Sequence, residues 1–243
     1  MYYYPINYKI FGKGKKFVLF LHGWGGSTNS FLSVANRVAI NHKVILLDFY
    51  GFGKSRFPDN PIDTYEYAIQ IYLLLKSKNI TNFDIVAHSF GGRIAIVLSS
   101  LFDLKVDKMV LIGSAGVLPK RTMKYRINII RYRIYKKLSK LKLVSPKKLS
   151  QFGSDEYKQL NTVQKLSYVK IVNQGLEYLM AKVDSSVLLV WGMEDKSTPI
   201  YMARIMNRLI KDSKLFIYNN SGHFCYLENY ISFCNLLLTF LKE

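Results

Sequence analysis

The chain has little cysteine. Cys225 and Cys234 are the only two among 243 residues, which excludes a disulfide-stapled scaffold. No apolar run approaches the roughly 18–20 residues of a membrane span. Met1–Pro5 carries neither the basic nor the apolar region of a signal peptide, so a cytoplasmic protein is the expectation. No cysteine–histidine cluster has metal-ligand spacing, and neither G-x-x-x-x-G-K-[ST] nor G-x-G-x-x-G follows a strand-like run, so no metal or nucleotide cofactor is expected. Gly51–Ser55 resembles a phosphate loop only faintly, because the first glycine is missing and no helix pattern opens after it. Acidic residues are scarce as well: 16 stand against 35 basic ones, for a net charge of +19. Between Pro119 and Leu149 there are twelve Lys or Arg and no acid, so one segment supplies most of the excess.

What is present is a soluble-protein composition, 49% apolar and 21% charged, in a chain long enough for one large domain or a domain with an insertion. Short apolar, β-branched runs recur at 17–21, 43–47, 83–87, 108–112, 187–191 and 214–218. Helix-like stretches lie near 29–40, 64–78, 91–102, 200–211 and 228–242. Near-continuous apolar strands separated by helices predict a parallel sheet buried on both faces. Tyr8–Ile10, with Lys13–Lys15 as a turn, is expected to form an edge hairpin. The alternation stops between Ala115 and Ser185, where no convincing strand occurs. There Met123, Ile127, Ile130, Ile134, Leu138 and Leu141 make one helical stripe, preceded by Pro119 and ended by Pro146, and helix-like sequence runs on through Ser154–Leu160 and Val163–Ala181. The expectation is a core of residues 1–115 and 185–243 with a helical insertion, 116–184.

The chemistry is concentrated at Ala87-His88-Ser89-Phe90-Gly91-Gly92, where a strand-like run meets a helix-like one. A serine on so tight a turn, flanked two residues away by Ala87 and Gly91, is a nucleophile elbow in which alanine replaces the first glycine of G-x-S-x-G. A serine hydroxyl needs a histidine base, and that histidine an acid to fix its tautomer. Asp195, with Glu194 as fallback, follows one later strand, and His223 follows the last. All three lie beyond strand carboxyl ends, where open parallel sheets bind ligands. His22 and His88 fit the base role worse, and His42 is expected at the surface. The loop His22–Gly26 offers a second oxyanion donor: the N–H groups of Phe90 and Trp24 are assigned, with Gly23 or Gly25 able to replace Trp24. Asp48–Ser55 is assigned a structural role at the pocket floor, and the stripe of the insertion is expected to cover Ser89 and line an acyl pocket.

Taken together, His22-Gly23-Trp24-Gly25, Asp48-x-x-Gly51-x-Gly53-x-Ser55, His88-Ser89-x-Gly91-Gly92, Gly192-x-x-Asp195 and Gly222-His223 resemble the α/β-hydrolase fold family, in the branch of meta-cleavage product hydrolases, carboxylesterases and pimeloyl-acyl-carrier-protein methyl esterases. The resemblance implies a mostly parallel eight-stranded sheet, a variable helical lid, and a Ser–His–Asp mechanism without cofactor. The expected function is a serine hydrolase acting on an ester or thioester. Alternatives are C–C bond or carrier-protein methyl ester hydrolysis, or a non-catalytic ligand-binding member of the fold. The basic segment reads as a solvated face, as a dock for an acidic carrier protein or anionic substrate, or as a membrane-surface helix, with Arg126, Arg131 and Arg133 as candidates for a carboxylate clamp. Nucleic acid is not an expected partner.

Overall fold

The computed structural model describes residues 5–121, 123–145, 148 and 155–242. Its centre is a seven-stranded sheet made of β1 (Tyr8–Phe11), β2 (Phe17–Leu21), β3 (Lys43–Leu47), β4 (Asn82–His88), β5 (Lys105–Ile112), β6 (Ser186–Gly192) and β7 (Ser213–Tyr218). The spatial order is β1-β3-β2-β4-β5-β6-β7, and every pair is parallel except β1–β3. The helices are α1 (Leu32–Val38), α2 (Thr64–Ser77), α3 (Phe90–Leu101), α4 (Met123–Lys140), α5 (Asp155–Gln159), α6 (Thr162–Val172), α7 (Glu177–Met180), α8 (Ile200–Leu209), α9 (Cys225–Glu228) and α10 (Tyr230–Lys242).

The central strands are apolar on both sides because both sides are covered. Leu19, Leu21, Ile85, Ala87, Leu111 and Leu189 pack toward α2, α3 and α8, while Val18, Phe20, Val86, Val110 and Val190 pack toward α1 and α10. Helix starts follow local chemistry. Asp63 accepts the N–H groups of Tyr65 and Glu66, and Glu66 returns a bond to the Asp63 N–H, a capping box that opens α2. Both cysteines are buried and free, Cys225 on α9 and Cys234 on α10. Burial pushes the Cys225 thiol up to about 12, and the Cys234 thiol is raised as well.

Two expectations about the sheet change. Seven strands, not eight, are found among the described residues. The edge hairpin does not form either: β1 pairs with β3, which lies between it and β2. The chain instead turns at Gly12 (φ +106°) against the entrance to β3, where a Cβ would stand 2.2 Å from the His42 carbonyl oxygen. β3, apolar after Lys43, thereby gains a strand on each side, and the turn folds over His42, which is buried rather than at the surface.

Strand order reverses between β2 and β4. The chain leaves β2 toward one edge through β3 and returns beside β2 as β4, so the loops after β2 and β4 open a crevice together. The segment between β5 and β6 contains helices α4–α7 and no strand among the described residues. The expected helix over 163–181 is two, α6 and α7, separated at Asn173–Leu176. Helix α4 ends at Lys140, with Lys142 in the left-handed region (φ +58°). Pro146, its expected terminator, and Ser154, the expected start of the next helix, lie outside the described residues.

Candidate active site

The elbow is strained as its sequence requires. Ser89 sits between β4 and α3 with φ +51° and ψ −112°, an unfavourable conformation for a residue with a Cβ. The turn is held by Ser89 N–H donating to the Ile112 carbonyl at 3.0 Å and by Gly92 and Ala115 N–H groups donating to the Ser89 carbonyl, each at 3.0 Å. There is no room for larger residues around it. A Cβ on Gly91 would lie 2.2 Å from the Leu21 carbonyl oxygen, and one on Gly92 would lie 1.9 Å from Ser114 Oγ.

Ser89, His223 and Asp195 form one hydrogen-bonded chain. Ser89 Oγ lies 2.9 Å from His223 Nε2, and His223 Nδ1 lies 2.8 Å from Asp195 Oδ2. A carboxylate only accepts, so Nδ1 carries the proton and Nε2 is left to accept from the serine hydroxyl. Asp195 is 3% exposed. Burial pushes its carboxyl up, but the His223 contact and the N–H and hydroxyl of Thr198 outweigh that and hold it below the ordinary value. Its Oδ1 takes the N–H groups of Ser197 and Thr198 at 2.8 and 2.9 Å, and the Thr198 hydroxyl lies 2.8 Å from Oδ2. Thr198 was not foreseen; its only mark in the sequence is its place three residues after the acid. Glu194, the alternative acid, is exposed and has no part in the chain.

His22 and His88 build the platform. Phe49 N–H donates to His22 Nε2 at 3.1 Å, so the His22 proton is on Nδ1, which donates to the Gly23 carbonyl at 2.7 Å. This fixes the path of the loop after β2. Gly23 in turn passes so close to the elbow that a Cβ would stand 2.8 Å from His88 Nδ1 and 3.5 Å from Ser89 Cβ. His88 turns away from the serine hydroxyl and packs under His223, ring centres 4.7 Å apart, donating from Nε2 to the His223 carbonyl at 3.0 Å. Asp48 stands behind the same loop and does not line the cavity. It accepts from Thr28 N–H, Lys54 N–H and Asn7 Nδ2 at 2.6, 2.9 and 2.7 Å. The pocket-floor role expected of 48–55 is therefore replaced by loop support, with Phe52 edge-on to Trp24.

The imidazoles of His22 and His88 are held neutral. Desolvation lowers His22 from 6.5 to about 4 and His88 from 6.5 to about 3. The unfolded chain takes up these protons as the pH falls below 6.5 and the folded chain does not, so acid favours unfolding. Each histidine is expected to remove about 1.4 kcal/mol of stability per pH unit below that point, His22 down to its folded value. Asp48 and Asp195, whose carboxyls are held down, add to the loss only below about pH 4. Thermal melts should show a midpoint that declines from about pH 6.5 to about pH 5; a flat midpoint over that interval would mean that these rings are not buried neutral.

A cavity of about 1630 Å³ opens over Ser89. Trp24 and Phe90 line it, and neither of their backbone N–H groups donates to a protein acceptor among the described residues. Among the described residues six cations line it and no carboxylate: Arg93, Lys120, Arg121, Arg131, Lys136 and Lys165. Arg93 was not foreseen, although a lone charge in the apolar run Phe90–Leu98 is a signal of its own. It is 4% exposed on α3, and Nη1 donates to the Gln174 carbonyl at 2.7 Å. Of the three arginines expected to bind substrate, only Arg131 lines this cavity; Arg126 and Arg133 line a separate cleft. The stripe of α4 does not cover the serine either. Met123, Ile127, Ile130 and Ile134 are exposed, and α4 presents Asn128, Tyr132 and Lys136 to the cavity instead. Among the described residues no group of three His, Cys, Asp or Glu side chains could hold a metal, and no helix is long and apolar enough to cross a membrane.

A sheet of this order, with a serine on a strained turn at its reversal point, defines a class, and comparison with known proteins gives the same class. The model of the alpha/beta hydrolase fold family matches residues 16–131 and 118–230, and the chain belongs to that family. It is 28% identical over 251 residues, covering 96% of this chain and 86% of the relative, to the 2-hydroxy-6-oxo-6-(2'-aminophenyl)hexa-2,4-dienoic acid hydrolase of Metapseudomonas resinovorans. Among solved structures it is similar to an esterase from Exiguobacterium antarcticum (TM-score 0.77, 22% identity, 98% of this chain and 96% of that one). It is also similar to a meta-cleavage product hydrolase from Pseudomonas fluorescens (TM-score 0.72, 19% identity, 98% and 94%).

Proposed function

We propose that this hydrolase cleaves a carboxylic ester or thioester through an acyl-enzyme on Ser89. The observation that carries the reading is the hydrogen-bonded chain Ser89–His223–Asp195, open at its serine end to a cavity. Ser89 Oγ attacks the acyl carbonyl as its proton passes to His223 Nε2. Asp195, kept ionised by its own hydrogen bonds, stabilises the imidazolium. The N–H groups of Phe90 and Trp24 receive the oxyanion. His223 then protonates the leaving group, and a water molecule activated by the same nitrogen releases the acid. A C–C bond hydrolysis of the meta-cleavage type is the second reading, favoured by the name of the relative from Metapseudomonas resinovorans.

The substrate we infer is anionic, held under a lid formed by residues 116–184. Six cations and no carboxylate among the described lining residues make the cavity attractive to negative charge, and the partly desolvated Arg93 guanidinium is the most buried of them. Burial lowers Arg93 to about 10, so it remains charged at neutral pH. A panel of ester pairs matched in length, one member ending in a carboxylate and the other in a methyl, tests this. The carboxylate member should be preferred about tenfold in kcat/KM, and Arg131→Gln should reduce that preference while sparing the neutral ester. Equal rates on both members would reject an anionic substrate, and a dienoate cleaved faster than any ester would favour the second reading.

A further inference from the structure

The outer face of α4 is an exposed apolar stripe with nothing against it among the described residues, bordered by cations. At about 100° per residue, Met123, Ile127, Ile130 and Ile134 fall on one line, and they are 70%, 52%, 55% and 52% exposed. Leu141, 61% exposed, follows just beyond the helix end. The opposite side of the helix, at Asn128, Tyr132 and Lys136, is the one that faces the Ser89 cavity. The stripe is therefore not a lid face waiting to close on that cavity. Arg126, Arg133, Lys137 and Lys140 border it on one side and Arg131 on the other. Among the described residues no carboxylate lies within ion-pair distance of Arg126, Arg131 or Arg133. Beside Ile130 lies a cleft of about 510 Å³ lined by Arg121, Arg126, Arg133 and Asn173, with no acid among the described residues.

We propose that α4 is an interfacial helix that seats on an anionic phospholipid surface, with the three-arginine cleft receiving a headgroup phosphate. A helix of 18 residues lying flat along the membrane presents a stripe about 27 Å long. Its isoleucines enter the boundary between headgroups and acyl chains while the flanking arginines and lysines reach phosphates, the disposition of helices that lie in a membrane surface. Charge excludes a second copy as the occupant, because two such helices face to face would oppose cation to cation. A cleft whose guanidiniums have room for a tetrahedral anion fits a headgroup better than it fits a plain apolar partner.

Vesicle flotation at physiological ionic strength tests the proposal without reference to hydrolysis, so its failure is distinct from any failure of the reaction assigned to Ser89. Phosphatidylcholine vesicles containing phosphatidylglycerol should retain the protein, and pure phosphatidylcholine vesicles should not. Ile130→Ser/Ile134→Ser and Arg126→Gln/Arg133→Gln should each lower partitioning about tenfold, with far-ultraviolet circular dichroism unchanged. Lys211→Gln/Lys214→Gln, at the edge strand β7, removes the same charge and should change partitioning by no more than about twofold. Equal losses in the arginine and lysine pairs, with none in Ile130→Ser/Ile134→Ser, would mean that net charge alone binds the vesicle and would overturn the proposal. No retention on anionic vesicles, or binding of an acidic protein in place of the vesicle, would overturn the proposal.

Discussion

Ser89→Ala is expected to lower kcat/KM on any substrate of the protein by about ten-thousandfold to a millionfold, with little change in thermal midpoint. The size of the loss follows from the way the groups act together. Without Oγ, His223 and Asp195 still hold each other at 2.8 Å, but the imidazole has no proton to take and the cavity no nucleophile. What survives is binding and the attraction of the N–H groups at Phe90 and Trp24, which act on a water molecule far less effectively. Asp195→Asn should cost about ten-thousandfold by a different route, because an amide can donate to Nδ1 and so turn Nε2 into a donor that cannot accept the serine proton. A fluorophosphonate should add to the wild-type chain at Ser89 and not to Ser89→Ala. A chain that hydrolyses esters equally well without Oγ, or that never labels, would be a binding member of the fold and not a serine hydrolase.

Gly91→Ala should be the most damaging small change to folding. Its Cβ would stand 2.2 Å from the Leu21 carbonyl oxygen and 2.8 Å from that of His22, both backbone atoms at the end of a central strand. Neither can rotate away, so α3 must lift from β2. The expected cost is about 3 kcal/mol, or a fall of roughly 6–12 °C in thermal midpoint for a chain of this length. Activity should fall further than stability, since the same displacement pulls Ser89 from the loop that carries Trp24. Gly25→Ala separates strain from collision. Gly25 has φ +77° with nothing within 4 Å of the added carbon, so only the backbone penalty of about 1–2 kcal/mol applies. If Gly91→Ala cost no more than Gly25→Ala, the close approach of α3 to β2 would not be what shapes the elbow.

The three residues of the hydrogen-bonded chain were legible because their signals are local. Ser89, Asp195 and His223 each follow an apolar run within a residue or a few, and strand ends in a parallel sheet converge by topology. Period also placed the stripe on α4. What period cannot supply is the partner: Ile127, Ile130 and Ile134 identify an apolar face without saying whether protein, lipid or solvent meets it, and here it turns away from the serine. The arginines divided for the same reason, because positions 126, 131 and 133 lie on different sides of one helix. Arg93 was hidden among apolar neighbours, and Thr198 acts through a turn that no periodicity marks. The pairing of β1 with β3 depended on which strand needed a neighbour, a tertiary question that a short turn at Lys13–Lys15 does not answer.

The two thiols have a practical consequence. Cys225 and Cys234 are 0% and 2% exposed, and burial suppresses their thiolates at neutral pH. Alkylating reagents should therefore pass the native fold by, and no cysteine-free background has to be made first. A cysteine placed at Ile134 would be the one accessible thiol in the chain, so a fluorophore or spin label attached there would report the surroundings of α4 from an otherwise unaltered protein.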